Sequence, residues 1–171
     1  MVKTNPPVFK ATFEQVSIVV HNIDKTTEKM WNYFGIGPWN VAIIHADMIT
    51  EAKYHGKPGR FGFKVGLIQL GVLEIELIES LEGQNVYVDF LKEHGEGVHH
   101  LCCPESPSFE VFNKTIRDME KAGFPCIMTG RCQPGYFAYF DTTKVLNTNM
   151  EIYWRDPKGY MPPFDYIYPN K

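Results

Sequence analysis

The stretch GEGVHHLCC, residues 95–103, sets two adjacent histidines, His99 and His100, at the head of a short apolar run. Bounded by glycine, such a run reads as a strand. Successive side chains of a strand point to opposite faces, so only one histidine of the pair is expected to face a given cavity. Downstream, SFEVFNKTIRDMEKAGF (108–124) carries Phe109, Phe112, Ile116, Met119 and Ala122 at spacings of three and four. That spacing predicts an amphipathic helix over 109–122, ended by Gly123. Strands are then expected near 125–129, 136–141 and 148–154.

The same order occurs earlier in the chain. FEQVSIVV (13–20) is short and β-branched, a strand. DKTTEKMWNYFGI (24–36) predicts a helix with Asp24 or Thr26 as N-cap, Met30, Trp31 and Phe34 on one stripe, and Gly35 and Gly37 as the stop. Strands are expected at 39–45, 61–70 and 72–79, with HGKPGRFG (55–62) as a turn-rich loop between the first two. The chain therefore divides into module one (13–80), a connector (81–96) with a short helix at Val86, Phe90 and Leu91, module two (97–155), and a tail (156–171). Both modules read as β-α-β-β-β. Repeats of this size pack together to close their apolar faces, and the seam between them is where a cavity is expected.

Composition narrows the partners. The chain has 171 residues, 44% hydrophobic and 14% aromatic, with a formal net charge of -3. That suits one folded domain spanning 1–171, and Trp39, Phe61 and Phe63 are expected in its core. The lysines and arginines are scattered, whereas phosphate backbones and anionic membranes demand clustered cations, so neither nucleic acid nor a membrane is an expected partner. MVKTNPPVFKATF (1–13) has no long apolar core of a signal peptide and no apolar stretch is long enough for a membrane span, which points to the cytoplasm. Cys102, Cys103, Cys126 and Cys132 are too sparse for a disulfide scaffold and lack the paired spacing of a structural zinc site, and Cys102 and Cys103 read as small buried strand residues.

Four polar residues interrupt the apolar strands at matched places. Gln15 and His100 each open the first strand of a module, in QVSIVV and HLCC. Glu76 and Glu151 each sit inside the last strand, in EIELIE and MEIYW. A buried, unpaired carboxylate costs several kcal/mol, so such a residue lies on the wet face or is bound to a cation. One imidazole, two carboxylates and an amide oxygen suit a divalent ion such as Zn, Ni, Co or Mn, with coordination positions left for water or substrate.

The segments FEQVSIVVHNIDKTTEKMWNYFGI, LEIELIESLEG, FLKEHGEGVHHLC and NMEIYWRD together resemble the vicinal oxygen chelate superfamily, which includes glyoxalase I, methylmalonyl-CoA epimerase and the extradiol dioxygenases. IELIESLEG through FLKEHGEGVHHL is most similar to the epimerases. The resemblance implies an α+β fold in which paired βαβββ modules form a curled mixed sheet around a metal cavity. It places Gln15, Glu76, His100 and Glu151 on the metal-ligand positions and leaves His99 structural, facing the other way. Epimerases most often have His at the first of these positions, and some glyoxalase I enzymes have Gln. The implied activity is that of a metal-dependent isomerase or epimerase, removing a proton next to a carbonyl and passing through an enolate. Glu151 is then ligand and base, with Glu51, or His55 in its place, as the second acid/base. The substrate is a small carbonyl compound or acyl thioester, and a homodimer is expected.

Two alternatives follow from the same resemblance. A glyoxalase I-like lyase needs arginines for glutathione carboxylates, and the chain offers Arg60, Arg117, Arg131 and Arg155. A metal-free small-molecule binding protein is the other, against which the retained Glu76, His100 and Glu151 argue. An iron dioxygenase uses two histidines and a carboxylate, which Gln15 disfavours. The tail RDPKGYMPPFDYIYPNK is too proline-rich for a helix and too aromatic to float in water, so it is expected to pack over the barrel or across a dimer seam.

Overall fold

A computed structural model describes residues 12–170; most of the segment read for a leader, residues 1–11, lies outside them, as does Lys171. The order is β1 (Gln15–Val19), α1 (Ile23–Phe34), β2 (Trp39–Ile44), β3 (Ile49–Tyr54), β4 (Lys57–Pro58), β5 (Gly62–Leu70), β6 (Leu73–Glu82), α2 (Val86–His94), β7 (Gly97–Cys102), α3 (Phe109–Lys121), β8 (Cys126–Cys132), β9 (Gly135–Phe140), α4 (Thr143–Leu146), β10 (Asn149–Arg155) and β11 (Tyr166–Tyr168). All eleven strands join one curled, unclosed mixed sheet in the order β11-β2-β5-β6-β1-β7-β10-β9-β8-β3-β4. The fold is α+β, built on two β-α-β-β-β units. β1 pairs β6 in parallel and β7 pairs β10 in parallel, and the two units meet where β1 runs antiparallel to β7.

Each helix is placed by its apolar stripe. α1 covers the outer face of the first unit through Ile23 and Met30, against Trp39, Val41 and Leu77. α3 covers the second through Phe112 and Met119, against Ala138, Phe140 and Ile152. The connector helix α2 instead plugs one end of the curl, where Val86 and Tyr87 pack with Phe61, Phe63, Ile78 and Tyr139. Trp39, Phe61 and Phe63 are all buried in these clusters. All four cysteines lie on β7 or β8 or directly after β7, and all are free thiols.

Outside the site, the structure departs from or adds to the sequence reading in three places. The N-cap of α1 is Asn22, not Asp24 or Thr26: its side chain accepts from Lys25 N at 2.8 Å, and Asp24 supplies the acidic charge of the first turn. The segment between β2 and β5 is not merely a loop. It forms the hairpin β3–β4, and β3 crosses to pair antiparallel with β8 of the other unit. The tail forms β11, which pairs with β2. Each unit thus has its outermost strand paired by a segment that follows an element of the other unit or is inserted from it, which leaves neither β2 nor β8 as a bare edge. Among the described residues no helix is long and apolar enough to cross a membrane.

Candidate metal centre and its cavity

The concave face of the sheet rises in steps of two residues, since every second side chain points inward. The deepest step holds Ser17 on β1, directly opposite both Glu76 on β6 and His100 on β7. Glu151 on β10 joins them, one pleat from the Asn149 that faces His100. One donor atom from each of Glu76, His100 and Glu151 falls within 4.8 Å of the others. His100 is wholly buried and Glu151 nearly so, at 7% exposure.

The donor atoms crowd together at the foot of the cavity. His100 Nε2 lies 3.0 Å from Glu151 Oε2 and 3.5 Å from Glu76 Oε2. Even so, neither His100 Nε2 nor Glu76 Oε2 makes a hydrogen bond of acceptable geometry, and both are shut off from solvent along with Ser17 Oγ. Buried polar atoms are nearly always paired, so orphaned ones converging from three strands mark a place built for something else. One imidazole and two carboxylates are hard-to-borderline donors of the kind a divalent cation takes. The residues fit such an ion.

Without it the electrostatics are those of a crowded buried site. Burial raises the Glu76 carboxyl above its usual range, and the neighbouring Glu151 adds to the rise against the opposing pull of His100. Burial disfavours a charged His100, but the contacts with Glu151 and then Glu76 outweigh it and pull its pKa up to about 9. Burial, and then the same carboxylates, hold the Cys102 thiol well above its ordinary value. A protonated thiol is a poor nucleophile, so Cys102 offers no thiolate chemistry to this site.

His99 does not face away from its neighbour. The pairing of β1 with β7 steps from Ser17–His100 to Ile18–Val98, leaving His99 without a partner in a β-bulge. A bulge suspends the alternation of faces, and both rings lie on the same side of β7. The Nδ1 atoms of His99 and His100 are 2.9 Å apart, and His99 Nε2 is 3.2 Å from the Asn149 amide. Aromatic rings enclose the pair: His99 meets Tyr87 and Phe90 edge-on at 5.2 Å, and His100 meets Tyr139 at 4.8 Å. Tyr87 donates to Tyr139 through their hydroxyls at 2.9 Å.

Above the triad opens a cavity of about 880 Å³ lined by Glu76, Glu151 and Cys102. Gln15 lines the same cavity one step nearer its mouth, opposite Glu74, and its Nε2 donates to Glu74 Oε1 at 2.7 Å. The structure thus gathers three of the four expected ligands at one point and sets the fourth beside them, its amide nitrogen engaged by Glu74. Glu51 lies elsewhere. It sits on β3 at positive φ, its side chain is 64% exposed and 3.9 Å from Arg131, and it lines a separate depression against α3. His55 is equally remote from the triad, its ring against Tyr54 and its Nε2 3.8 Å from Asp89. The structure brings neither of the residues expected as second acid/base to the triad. The parts that the sequence reading passed over are Ser17, two positions beyond Gln15 on the same face, and the His99–Asn149 support behind His100.

The tail closes part of the mouth. Met161, Pro162, Pro163 and Phe164 line the cavity, and Asp165 accepts from Ile43 N at 2.7 Å. Tyr166 donates to Asp24, whose carboxylate also holds Lys64 Nζ at 2.7 Å.

Comparison with known proteins agrees with this fold. The family model of the glyoxalase/bleomycin resistance protein/dioxygenase superfamily matches residues 14–140. No curated protein matches the chain. A hypothetical protein from Bacillus halodurans C-125 superposes with a TM-score of 0.57 at 15% identity, over 90% of this chain and 100% of that one. Methylmalonyl-CoA epimerase from Mycobacterium tuberculosis gives 0.55 at 16% identity, covering 92% and 95%. A variant of the Streptomyces coelicolor methylmalonyl-CoA epimerase in complex with 2-nitronate-propionyl-CoA gives 0.53 at 14%, covering 89% and 99%. At these identities the likeness is one of fold.

Proposed function

Since the chain belongs to the glyoxalase/bleomycin resistance protein/dioxygenase superfamily, we propose that it is a divalent-metal-dependent isomerase or epimerase that removes a proton next to a carbonyl and passes through an enolate. The observation that carries this reading is the set of orphaned, converging donor atoms of Glu76 and His100, with Glu151 beside them, at the floor of a cavity large enough for a substrate. Glu76, His100 and Glu151 would hold the ion, with the oxygen of the Gln15 amide as a fourth donor, its nitrogen being anchored by Glu74. A divalent ion there supplies Lewis-acid stabilisation of the oxyanion that develops when the proton leaves.

The remaining work falls to the chain's own groups. Glu151 takes the proton from the carbon that faces it. Glu76 and Glu151 come from strands on opposite sides of β1 and β7, so a planar carbon between them has a carboxylate on either side. Return of a proton to the same face exchanges it, return to the opposite face epimerises, and return to the neighbouring carbon isomerises. Glu76, on the other side of that carbon, is the second carboxylate in reach to return the proton. Glu51 has no part in this scheme. The buried aromatic packing of Tyr87, Tyr139 and Phe137 beneath the triad excludes water from that side of the site.

The structure favours this reading over its alternatives. A lyase acting on a glutathione adduct needs cations for carboxylates, and Arg155 alone among the four arginines lines the cavity, already paired with Glu105 at 2.9 Å. A metal-free binding protein leaves the orphaned donors without a purpose. The test is wash-in of solvent deuterium at the α-carbon of acyl thioesters, followed by magnetic resonance on metal-loaded protein. Exchange is expected in the wild type and a loss of at least about a hundredfold in Glu151→Gln, a range typical of removing a general base. Undiminished exchange in the folded variant would remove Glu151 from its role.

A further inference from the structure

The cavity above the triad has two unlike walls. Ala42, Ile44, Val65 and Leu67 of β2 and β5, with Phe164 of the tail, form an apolar side. Across from it, the residue before β1, strands β6 and β10 and the turn after β7 present Glu14, Glu74 and Glu105 as well as Glu76 and Glu151, and Asp165 also lines the cavity. Among the described lining residues Arg155 is the one lysine or arginine against these six carboxylates. It donates to Glu105 Oε2 from Nε at 3.1 Å and from Nη2 at 2.9 Å, and to the Tyr153 hydroxyl at 3.3 Å, so it makes no ion pair with the other five.

Two of the six are half-buried and held only by neutral donors. Glu74 accepts from the Gln15 amide at 2.7 Å and Glu14 from the Tyr153 hydroxyl at 2.6 Å. Neither has a cationic side chain within ion-pair distance among the described residues. Negative charge lining a cleft with a low-dielectric wall concentrates its field there, repelling anions and drawing cations. Glu74 stands two residues from Glu76 on the same strand, about 7 Å up the wall.

We propose that the substrate is a small carbonyl compound bearing a cationic nitrogen roughly 5–8 Å from its enolisable carbon, a span set by the two-residue rise of the strand, and carrying no phosphate. The carbonyl end lies at the triad, which is where this inference rests on the enolate reading above. The cationic end lies between Glu74 and Glu14, and the apolar remainder lies along β2, β5 and Phe164. A coenzyme A thioester, with its several phosphate charges, is the wrong class for this wall.

Three thioesters of pivalic acid separate the possibilities, since they lack an α-hydrogen and report binding alone: those of thiocholine (cationic), N-acetylcysteamine (neutral) and coenzyme A (polyanionic). Calorimetry on metal-loaded protein at low ionic strength is expected to rank them in that order. The cationic probe should bind at least about tenfold tighter than the neutral one, with the gap closing as salt is added. Glu14→Gln and Glu74→Gln should each shrink the ratio of cationic to neutral affinity severalfold, a ratio that does not depend on how much metal is bound. Tightest binding of the coenzyme A ester, equal binding of all three, binding of none, or a ratio unmoved in both variants overturns the proposal. Deuterium exchange with the matching propanoyl thioesters keeps the two readings apart. The expected ranking without exchange contradicts the enolate reading alone, and exchange with the ranking reversed contradicts the charge selection alone.

Discussion

His100 is subject to two opposed influences, and the balance sets how it meets a metal. Burial disfavours its charged form, yet Glu151 and Glu76 raise its pKa to about 9 in the metal-free protein. A cation at Nε2 must displace that proton, so below pH 9 metal uptake and proton release are coupled. The sign is fixed: affinity weakens as pH falls. Between pH 8.5 and 6.5 the apparent Kd should rise about a hundredfold for one displaced proton, measured by calorimetry in buffers of differing ionisation enthalpy. A flat profile with no proton released contradicts the assignment. His99 governs the other nitrogen. With an ion on Nε2, His100 would carry its proton on Nδ1 and donate it to His99 Nδ1, 2.9 Å away, with the Asn149 amide turning its oxygen to His99 Nε2. Outer partners of this kind are worth about 10–100-fold in metal affinity, so His99→Leu should weaken Co(II) binding by that factor and His99→Gln should restore part of it. Equal affinity in all three proteins would make His99 mere packing. Glu76, His100 and Glu151 were legible in the sequence because the repeat sets them at matched places in otherwise apolar strands. The role of His99 was not, because a β-bulge is a backbone event that strand alternation cannot foresee.

At the scale of elements, the helices and the strands of the two units follow from periodicity, since each carries its own apolar stripe or alternation. The hairpin β3–β4 does not. Its residues 49–58 are mostly polar, Glu51 and His55 sit at positive φ, and its main partner β8 lies more than seventy residues away, so no local pattern announces it. β11 is equally non-local, docked on β2 by Asp165 and by the cluster of Asp24, Lys64 and Tyr166. Lys64 is 7% exposed and its ammonium lies 5.3 Å from the Tyr166 ring centroid. Burial works against the charge on Lys64, while Asp24 and Tyr166 favour it and raise its pKa. Removing the carboxylate strands a buried cation, whereas removing the lysine leaves Asp24 half in water. Asp24→Ala should therefore destabilise by roughly 1–3 kcal/mol and speed hydrogen exchange across residues 160–168, and Lys64→Met should cost less. Denaturant midpoints and exchange mass spectrometry read both effects. The reverse order of cost would refute this account of the tail.

For the molecule as a whole, the candidate metal centre and the seam are one object. Glu76 comes from the first unit, His100 and Glu151 from the second, and the strands β6, β1, β7 and β10 that carry them straddle the junction of the two. A bound ion would link the halves, and an empty site would keep three ionisable groups buried together at a cost of several kcal/mol. At a metal concentration about a thousandfold above Kd the folded state should gain about 4 kcal/mol, near 8–16 °C in Tm for a chain of this size, and a chelator should reverse it. The duplication that creates this seam is visible in the order of residues, but the charge of the cavity is not, because it is assembled from β1, β6, β10 and the tail. The most direct test is metal stoichiometry by calorimetry and elemental analysis after chelator treatment and reloading with Zn(II) or Co(II). The wild type is expected to bind one equivalent per chain, and His100→Ala and the double variant Glu76→Gln/Glu151→Gln none while remaining folded. No binding by the wild type, or a full equivalent retained by the variants, would contradict the metal centre and the enolate chemistry with it.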